Sequence, residues 1–272
     1  MRFIVDGSDI YAATGGRDFD PALPAAVFLH GAGMDHSVWA LLARAFASHG
    51  FAALAPDLPG HGRSAGAPLS SIAAMADWTA ALLDAAGVRA ARLIGHSMGS
   101  LAALETAARY PDKVAGLGLI ATAAAIPVAA DLLDAAKKND HAAVDMVAIW
   151  ANGYRATLGG SPTPGLWMLG DAERLLERAR PGVLFSDLSA CNSYRDALTA
   201  AAKLTVPTVV ILGSRDLMTP AKGGRSLAAA IPGARLTMIE GAGHMLMSER
   251  ADDVLAALKI IFASAGEVAG TA

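Results

Sequence analysis

One stretch, Arg92-Leu93-Ile94-Gly95-His96-Ser97-Met98-Gly99-Ser100, limits most strongly what this chain can fold into. It sets a serine at the centre of G-x-S-x-G. An apolar run from Ala91 to Ile94 precedes it, and a helix-forming run from Leu101 to Arg109 follows. That order predicts strand, sharp turn, helix. A serine at such a turn sits on strained backbone, with its hydroxyl raised clear of the sheet. The flanking glycines are required because side chains there would collide with the neighbouring strand and helix.

The rest of the chain alternates in the same way. Arg2 to Ala13 reads as a hairpin of two strands, and Ala25 to Leu29 as a buried strand ending at His30-Gly31-Ala32-Gly33. Val38 to Ser48 has helical spacing with Gly50 as its stop. Phe51 to Ala55 is the next strand and runs into Asp57-Leu58-Pro59-Gly60-His61-Gly62-Arg63-Ser64. Ser71 caps a helix through Ala86 that Gly87 ends. Strand 91–95, helix 98–109 and strand Val114 to Ile120 follow. Strands alternating with helices predict an α/β fold, a mostly parallel central sheet flanked by helices.

From about Ala124 to Ala202 the alternation stops. Segments 131–138, 141–154, 171–180 and 184–198 read as helices, with Gly159, Gly160, Pro162, Pro164 and Gly165 separating two of them. It resumes with strand Thr208 to Leu212, a helix from Pro220, strand Ala234 to Ile239 and a final helix from Glu249 to Phe262. The expected division is a core of residues 1–123 and 205–272 and a helical cap, residues 124–204, inserted after strand 6. Alanine-rich residues 263–272 read as a frayed tail.

With 272 residues, 54% of them hydrophobic, the chain can bury one large core plus a small cap. The net charge of -3, with basic residues scattered, gives no case for nucleic acid or an anionic membrane. Ala115 to Ala130 comes nearest to a membrane span, but two glycines and Pro127 interrupt it. Asp6, Gly7 and Asp9 interrupt any signal-peptide core after Val5, so the expected location is the cytoplasm. One cysteine, Cys191, excludes an intrachain disulfide and a thiolate metal cluster, and reads as a small apolar residue in a helix.

A serine nucleophile needs a base, and the base needs an acid to orient it. Of seven histidines, His244 lies just past the last strand in Gly241-Ala242-Gly243-His244-Met245. Asp216 lies just past the preceding strand in Gly213-Ser214-Arg215-Asp216, before a helix opening Thr219-Pro220. Ser97, Asp216 and His244 therefore share one edge of the sheet, in the chain order this architecture uses. His30, His61, His96 and Asp57 read as structural residues, holding turns or packing beneath the loops. His36, His49 and His141 read as solvated or packed. No histidine spacing matches a metal motif, so neither a metal nor any other cofactor is expected. The G-x-G pairs do not complete a dinucleotide fingerprint.

These motifs together resemble the α/β-hydrolase fold superfamily, and within it the cap-bearing serine esterase-like group. The resemblance runs from about Val27 to Phe262, the cap excepted. It implies a cofactor-free serine hydrolase with Ser97, Asp216 and His244 as catalytic residues, acting on carboxylic esters; the apolar cap and rim candidates named below point to small to medium, mostly apolar ones. It also implies an oxyanion hole from the backbone N–H groups of Met98 and Ala32, with Gly33 as the alternative to Ala32. Candidate pocket residues are Gly31, Gly33, Trp150, Trp167, Met218 and Met245. Met146, Ile149, Tyr154, Met168 and Met247 are further apolar candidates, each with an ordinary core role as its alternative. Arg155, Arg174, Arg178, Arg180 and Arg195 read as solvated charges of the cap, with contact to a substrate carboxylate as the alternative for one of them.

Three other functions stay open. Carbon–carbon bond hydrolases of ring-fission products share the triad but commonly carry proline where this chain has Met34. Perhydrolases often carry an aromatic residue and a proline in the loop that here reads Ala32-Gly33. A ligand-binding sensor with slow turnover would keep the same triad. The expected partner is a small-molecule ester, with the chain a monomer or homodimer.

Overall fold

The computed structural model describes residues 1–160 and 167–262. The 263–272 tail, and Pro162, Pro164 and Gly165 of the expected spacer, lie outside the described residues. Eight strands form one sheet: β1 (Arg2–Val5), β2 (Ser8–Ala13), β3 (Ala25–Leu29), β4 (Ala52–Pro56), β5 (Ala91–His96), β6 (Val114–Ile120), β7 (Thr208–Gly213) and β8 (Arg235–Ile239). Their spatial order is β1-β2-β4-β3-β5-β6-β7-β8. β1 and β2 pair antiparallel, as does β2 with β4, and the other pairings are parallel.

The chain winds outward from β3 to β4, then crosses to the other side of β3 to form β5. Between β3 and β5 the winding direction reverses, and a crevice opens beyond the strand ends at such a point. The turns after these two strands carry His30–Gly33 and Ser97, so the topology delivers both to one place.

Both faces of the sheet are covered. Along β3, Val27 and Leu29 enter one apolar cluster while Ala26 and Phe28 enter the other. This is the two-residue period of a strand buried on both sides. The first cluster includes α2 (Ile72–Ala85), α3 (Met98–Arg109), α9 (Ala197–Ala201) and α10 (Ala221–Ala230); the second includes α1 (Ala40–Ser48) and α12 (Ala251–Leu258). The Ser71 hydroxyl caps α2 by accepting from the Ala74 N–H at 3.1 Å.

Between β6 and β7 the chain forms α4 (Ala130–Lys138), α5 (Ala142–Ala151), α6 (Tyr154–Thr157), α7 (Met168–Glu177), α8 (Val183–Ser193) and α9. Two expected helices are broken. The 141–154 segment stops at Asn152–Gly153, where its backbone groups are drawn into bonds with the His244 loop. The 184–198 segment stops at Ser193, and Tyr194 turns to extended backbone with φ -72° and ψ 129°. The final segment starts earlier than expected, as α11 (Leu246–Glu249), and breaks at Arg250 before α12. Among the described residues, no helix is long and apolar enough to cross a membrane.

Candidate active site

The strand-to-helix turn at Ser97 is sharp. Ser97 has φ 52° and ψ -116°, a conformation unfavourable for a residue with a side chain. Its backbone N–H donates to the Ile120 carbonyl at 2.9 Å, anchoring the turn to the end of β6. The glycines allow the close approach: a Cβ at Gly99 would strike the Leu29 and His30 carbonyls, and one at Gly95 would strike the backbone of Gly99. The Ser97 hydroxyl has no hydrogen-bond partner among the described residues and borders a cavity of about 130 Å³.

His244 borders the same cavity. Its Nδ1 lies 2.8 Å from Asp216 Oδ2. Asp216 also accepts the Met218 and Thr219 N–H groups on Oδ1, both at 2.8 Å, and the Thr219 hydroxyl on Oδ2 at 2.7 Å. Burial works to raise the Asp216 pKa, but the His244 ring and these donors outweigh it and hold the carboxyl below its usual range. An ionised Asp216 only accepts, so Nδ1 of His244 carries the proton. In the neutral ring this leaves the lone pair on Nε2.

The other histidines play supporting parts. His96 Nε2 lies 3.0 Å from the His244 carbonyl, and the two rings meet at 4.6 Å. Burial and the neighbouring His244 lower its pKa to about 3, so His96 stays neutral. His30 uses Nδ1 toward the Gly31 carbonyl and accepts the Leu58 N–H on Nε2 at 3.1 Å. Burial and then His61 lower its pKa to about 4. Asp57 receives the His36 N–H at 2.7 Å and the Arg63 N–H at 2.8 Å, closing the long turn after β4. Asp35, His36 and Asp57 lie close enough together to suggest a metal site. Their carboxylate oxygens are already engaged by Ser37, His36, Arg63 and Arg178.

Three positions that the sequence did not single out prove central. Thr219 holds Asp216 as described. Glu249, buried, accepts the N–H groups of Gly243 and Gly153 at 3.1–3.3 Å and so ties the His244 loop to the α5–α6 junction. Asp187, buried on α8, accepts the Gly33 N–H at 2.8 Å and faces His61 Nε2 at 2.8 Å. Each is an ordinary polar residue whose importance comes only from tertiary contact.

Of the expected pocket residues, Trp150 and Met218 line the cavity together with Ala32 and Met34. Trp167 does not: it sits 60% exposed at the start of α7, packed over Gly170. Met245 is buried behind the site, where it borders a separate groove with Met168 and Met247. Gly31 packs against His96, and Gly33 packs against Leu184 and Leu176, so neither lines the cavity. Most of the remaining wall is apolar and comes from the β6–β7 segment, Ile126–Ala129, Leu132, Val147, Leu184, Leu188 and Cys191, with Leu217 and Thr219 added by the loop after β7. Burial pushes the Cys191 thiol well above its ordinary range, so it stays protonated and acts as apolar lining.

A model of the alpha/beta hydrolase fold family matches residues 24–251. A pimeloyl-acyl carrier protein methyl ester esterase of Chromobacterium violaceum is 32% identical over 244 residues, covering 86% of this chain and 92% of its own. A protein of the same name from Xanthomonas campestris pv. campestris is 33% identical over 246 residues, covering 86% and 93%. The crystal structure of the enol-lactonase from Burkholderia xenovorans LB400 superimposes with a TM-score of 0.87 at 26% identity, over 97% of this chain and 100% of that one. The chain belongs to the alpha/beta hydrolase fold family. Within it, the similarities are to esterase-type hydrolases.

Proposed function

We propose that the protein is a serine hydrolase that cleaves small to medium apolar carboxylic esters through an acyl-enzyme. The observation that carries the reading is the Asp216–His244 bond of 2.8 Å beside a cavity that Ser97 also borders. His244 Nε2 takes the Ser97 proton as Oγ attacks the ester carbonyl, then returns it to the departing alcohol. Water activated by the same nitrogen releases the acid. Asp216 stabilises the imidazolium formed in each step.

Negative charge on the carbonyl oxygen is met by the N–H groups of Met98 and Ala32. Met98 is the first residue of α3, so its N–H has no acceptor within the helix. The Gly33 N–H is engaged by Asp187, which favours Ala32 as the second donor. Residues 124–204 act as a cap over the apolar cavity. The relatives named as methyl ester esterases fit a site that accepts a small alcohol, and a lactone is a cyclic ester open to the same steps.

The test is steady-state hydrolysis of p-nitrophenyl esters from acetate to decanoate, with Ser97→Ala beside the wild type. The expected result is turnover with a short to medium chain optimum, abolished in a folded Ser97→Ala. Wild-type rates in that variant would overturn the assignment. A single slow burst would point to a sensor, and absence of turnover to carbon–carbon hydrolysis.

A further inference from the structure

The wall of the cavity formed by α8 consists of Leu184, Leu188 and Cys191, at the one-turn spacing of a single helix face. Asp187 lies between them, fully buried. A carboxylate withdrawn from water is costly unless it is paired and hydrogen-bonded. Asp187 meets that need on one oxygen, through two specific donors to Oδ2, while Oδ1 has no partner among the described residues. Oδ2 accepts the Gly33 N–H and faces the His61 ring.

His61 is fixed in turn, because its Nδ1 lies 3.0 Å from the Pro59 carbonyl. A carbonyl only accepts and an ionised carboxylate only accepts, so both ring nitrogens carry protons. Burial alone would lower the His61 pKa, but Asp187 reverses that and the pKa is raised. The His30 ring, 4.8 Å away, stays neutral.

Gly33 belongs to a tight turn closed by the Met34 N–H donating to the Gly31 carbonyl at 3.2 Å. Its φ of +68° is a conformation glycine adopts readily, and a Cβ there would come within 2.9 Å of Leu184 on the same helix. Successive N–H groups in such a turn point in different directions. Holding the Gly33 N–H on Asp187 fixes the orientation of its neighbour. The Ala32 N–H is left without a partner among the described residues, beside the cavity.

We infer that Asp187 is a positioning residue for the oxyanion hole: through its bond to Gly33 it holds the loop so that Ala32 faces the reacting carbonyl oxygen. The inference rests on the proposed roles of Ser97, Ala32 and Met98. It makes the helical segment a working part of the catalytic site as well as a cover for it.

The experiment compares wild type, Asp187→Ala, Asp187→Asn and His61→Gln on p-nitrophenyl butyrate. It adds two inhibitors of the same shape, a trifluoromethyl ketone and the corresponding secondary alcohol. The ketone forms a bond from Ser97 Oγ to its carbonyl carbon; the serine proton passes to His244 and the carbonyl oxygen becomes an oxyanion. The alcohol forms no such bond and reports pocket shape alone. Asp187→Ala should lose about 10- to 100-fold in kcat, with KM within about twofold, part of the effect of deleting an oxyanion donor outright. Ketone affinity should fall by the same factor and alcohol affinity should hold. Asp187→Asn, which keeps an acceptor for Gly33, should recover most of kcat, and His61→Gln should retain it.

Equal losses for ketone and alcohol, or an unchanged kcat in folded Asp187→Ala, would overturn the inference. So would a His61→Gln loss as large as that of Asp187→Ala. If Asp187→Ala does not fold, amide resonances of the wild type decide. The ketone should shift Ala32 and Met98 and leave Gly33 in place, and a shift at Gly33 in place of Ala32 overturns the inference. Failure of the esterase reading itself would show separately, as an inactive wild type or an active Ser97→Ala.

Discussion

The backbone N–H of His244 donates to the Ala151 carbonyl at 2.8 Å, and the next N–H, of Met245, donates to the same oxygen at 3.0 Å. The loop bearing the proposed base is therefore held by the end of α5 as well as by its own strand. Glu249 reinforces the junction from behind, through Gly153 and Gly243. Glu249→Gln removes one acceptor oxygen and points an amide toward N–H donors. The expected loss is about 1–3 kcal/mol of stability, the cost of a buried unsatisfied donor. A denaturant midpoint equal to wild type would count against this role.

Asp216→Asn keeps the shape of the acid but removes its charge and favours the wrong His244 tautomer. The kcat should fall about ten-thousand-fold, as for an acid-to-amide change in a serine triad. Thr219→Val is milder. It deletes one hydroxyl bond of 2.7 Å to a charged oxygen and leaves two N–H donors. A loss of about 1.5 kcal/mol in that bond translates to about tenfold in kcat. Rate measurements on both variants with one ester test the order of the two effects.

Ser97 holds φ 52° against steric preference. Ser97→Ala and Ser97→Gly should both be inactive, but they should differ in stability. Glycine relieves the backbone strain, so Ser97→Gly should exceed Ser97→Ala by about 1 kcal/mol. Thermal unfolding of the two inactive proteins side by side checks this. Equal midpoints would mean that the turn stores no usable strain.

Stability should respond to pH through three buried histidines. His30 and His96 have pKa values lowered to about 4 and about 3, from an ordinary 6.5. Between those values and 6.5 the unfolded chain binds up to two more protons than the folded one, so these groups make stability rise with pH there. His61 has the opposite sign: its pKa is raised in the fold. Its contribution is complete below 6.5 and is lost as pH rises through the folded value. Chemical denaturation across pH 4.5 to 9 should show an acid-side slope that decreases in His96→Gln. His61→Gln should narrow its gap from wild type as pH rises; a gap that widens would refute the His61–Asp187 pairing.

Leu132 on α4 and Trp150 on α5 both line the cavity. Trp150→Ala should move the best p-nitrophenyl ester to a longer acyl chain and raise KM for the acetate. Leu217, 68% exposed on the loop beside Asp216, also borders the cavity, and Leu217→Ala should alter KM more than kcat. Chain-length profiles of the two variants measure both effects. An unchanged optimum in Trp150→Ala would place the acyl group elsewhere.

The alternation of strands and helices was legible because most of the central strands are short apolar runs ended by glycine or proline chemistry. The three expected triad residues were legible for the same reason: each lies in a glycine-marked turn just past a strand. The pocket was not. Trp150 and Trp167 look alike in sequence, both aromatic in helical surroundings, yet one borders the cavity and the other caps the outside of α7. Asp187 and Glu249 gave no local signal either. Helix 141–154 looked continuous because its break at Gly153 is imposed by Glu249, far along the chain. Such features depend on which surfaces meet, and local periodicity does not encode that.

β6 and β7 are neighbours in the sheet, paired from Leu117 with Thr208 to Ile120 with Ile211, although six helices intervene among the described residues. Because the two strands are parallel, the excursion leaves at the C-terminal end of β6, where the Ala121 N–H donates to the Ile211 carbonyl, and rejoins at the opposite edge of the sheet, at Thr208. Closing a loop this long costs only slightly more than closing a shorter one. The last helix of the segment, α9, covers the sheet face, so an exchange of the segment has to end before it. An exchanged segment would have to bring with it an acceptor for the Gly33 N–H, a carbonyl for the His244 and Met245 N–H groups, and an N–H for Glu249. Those contacts belong to the junction that any retargeting of specificity in this scaffold would have to preserve.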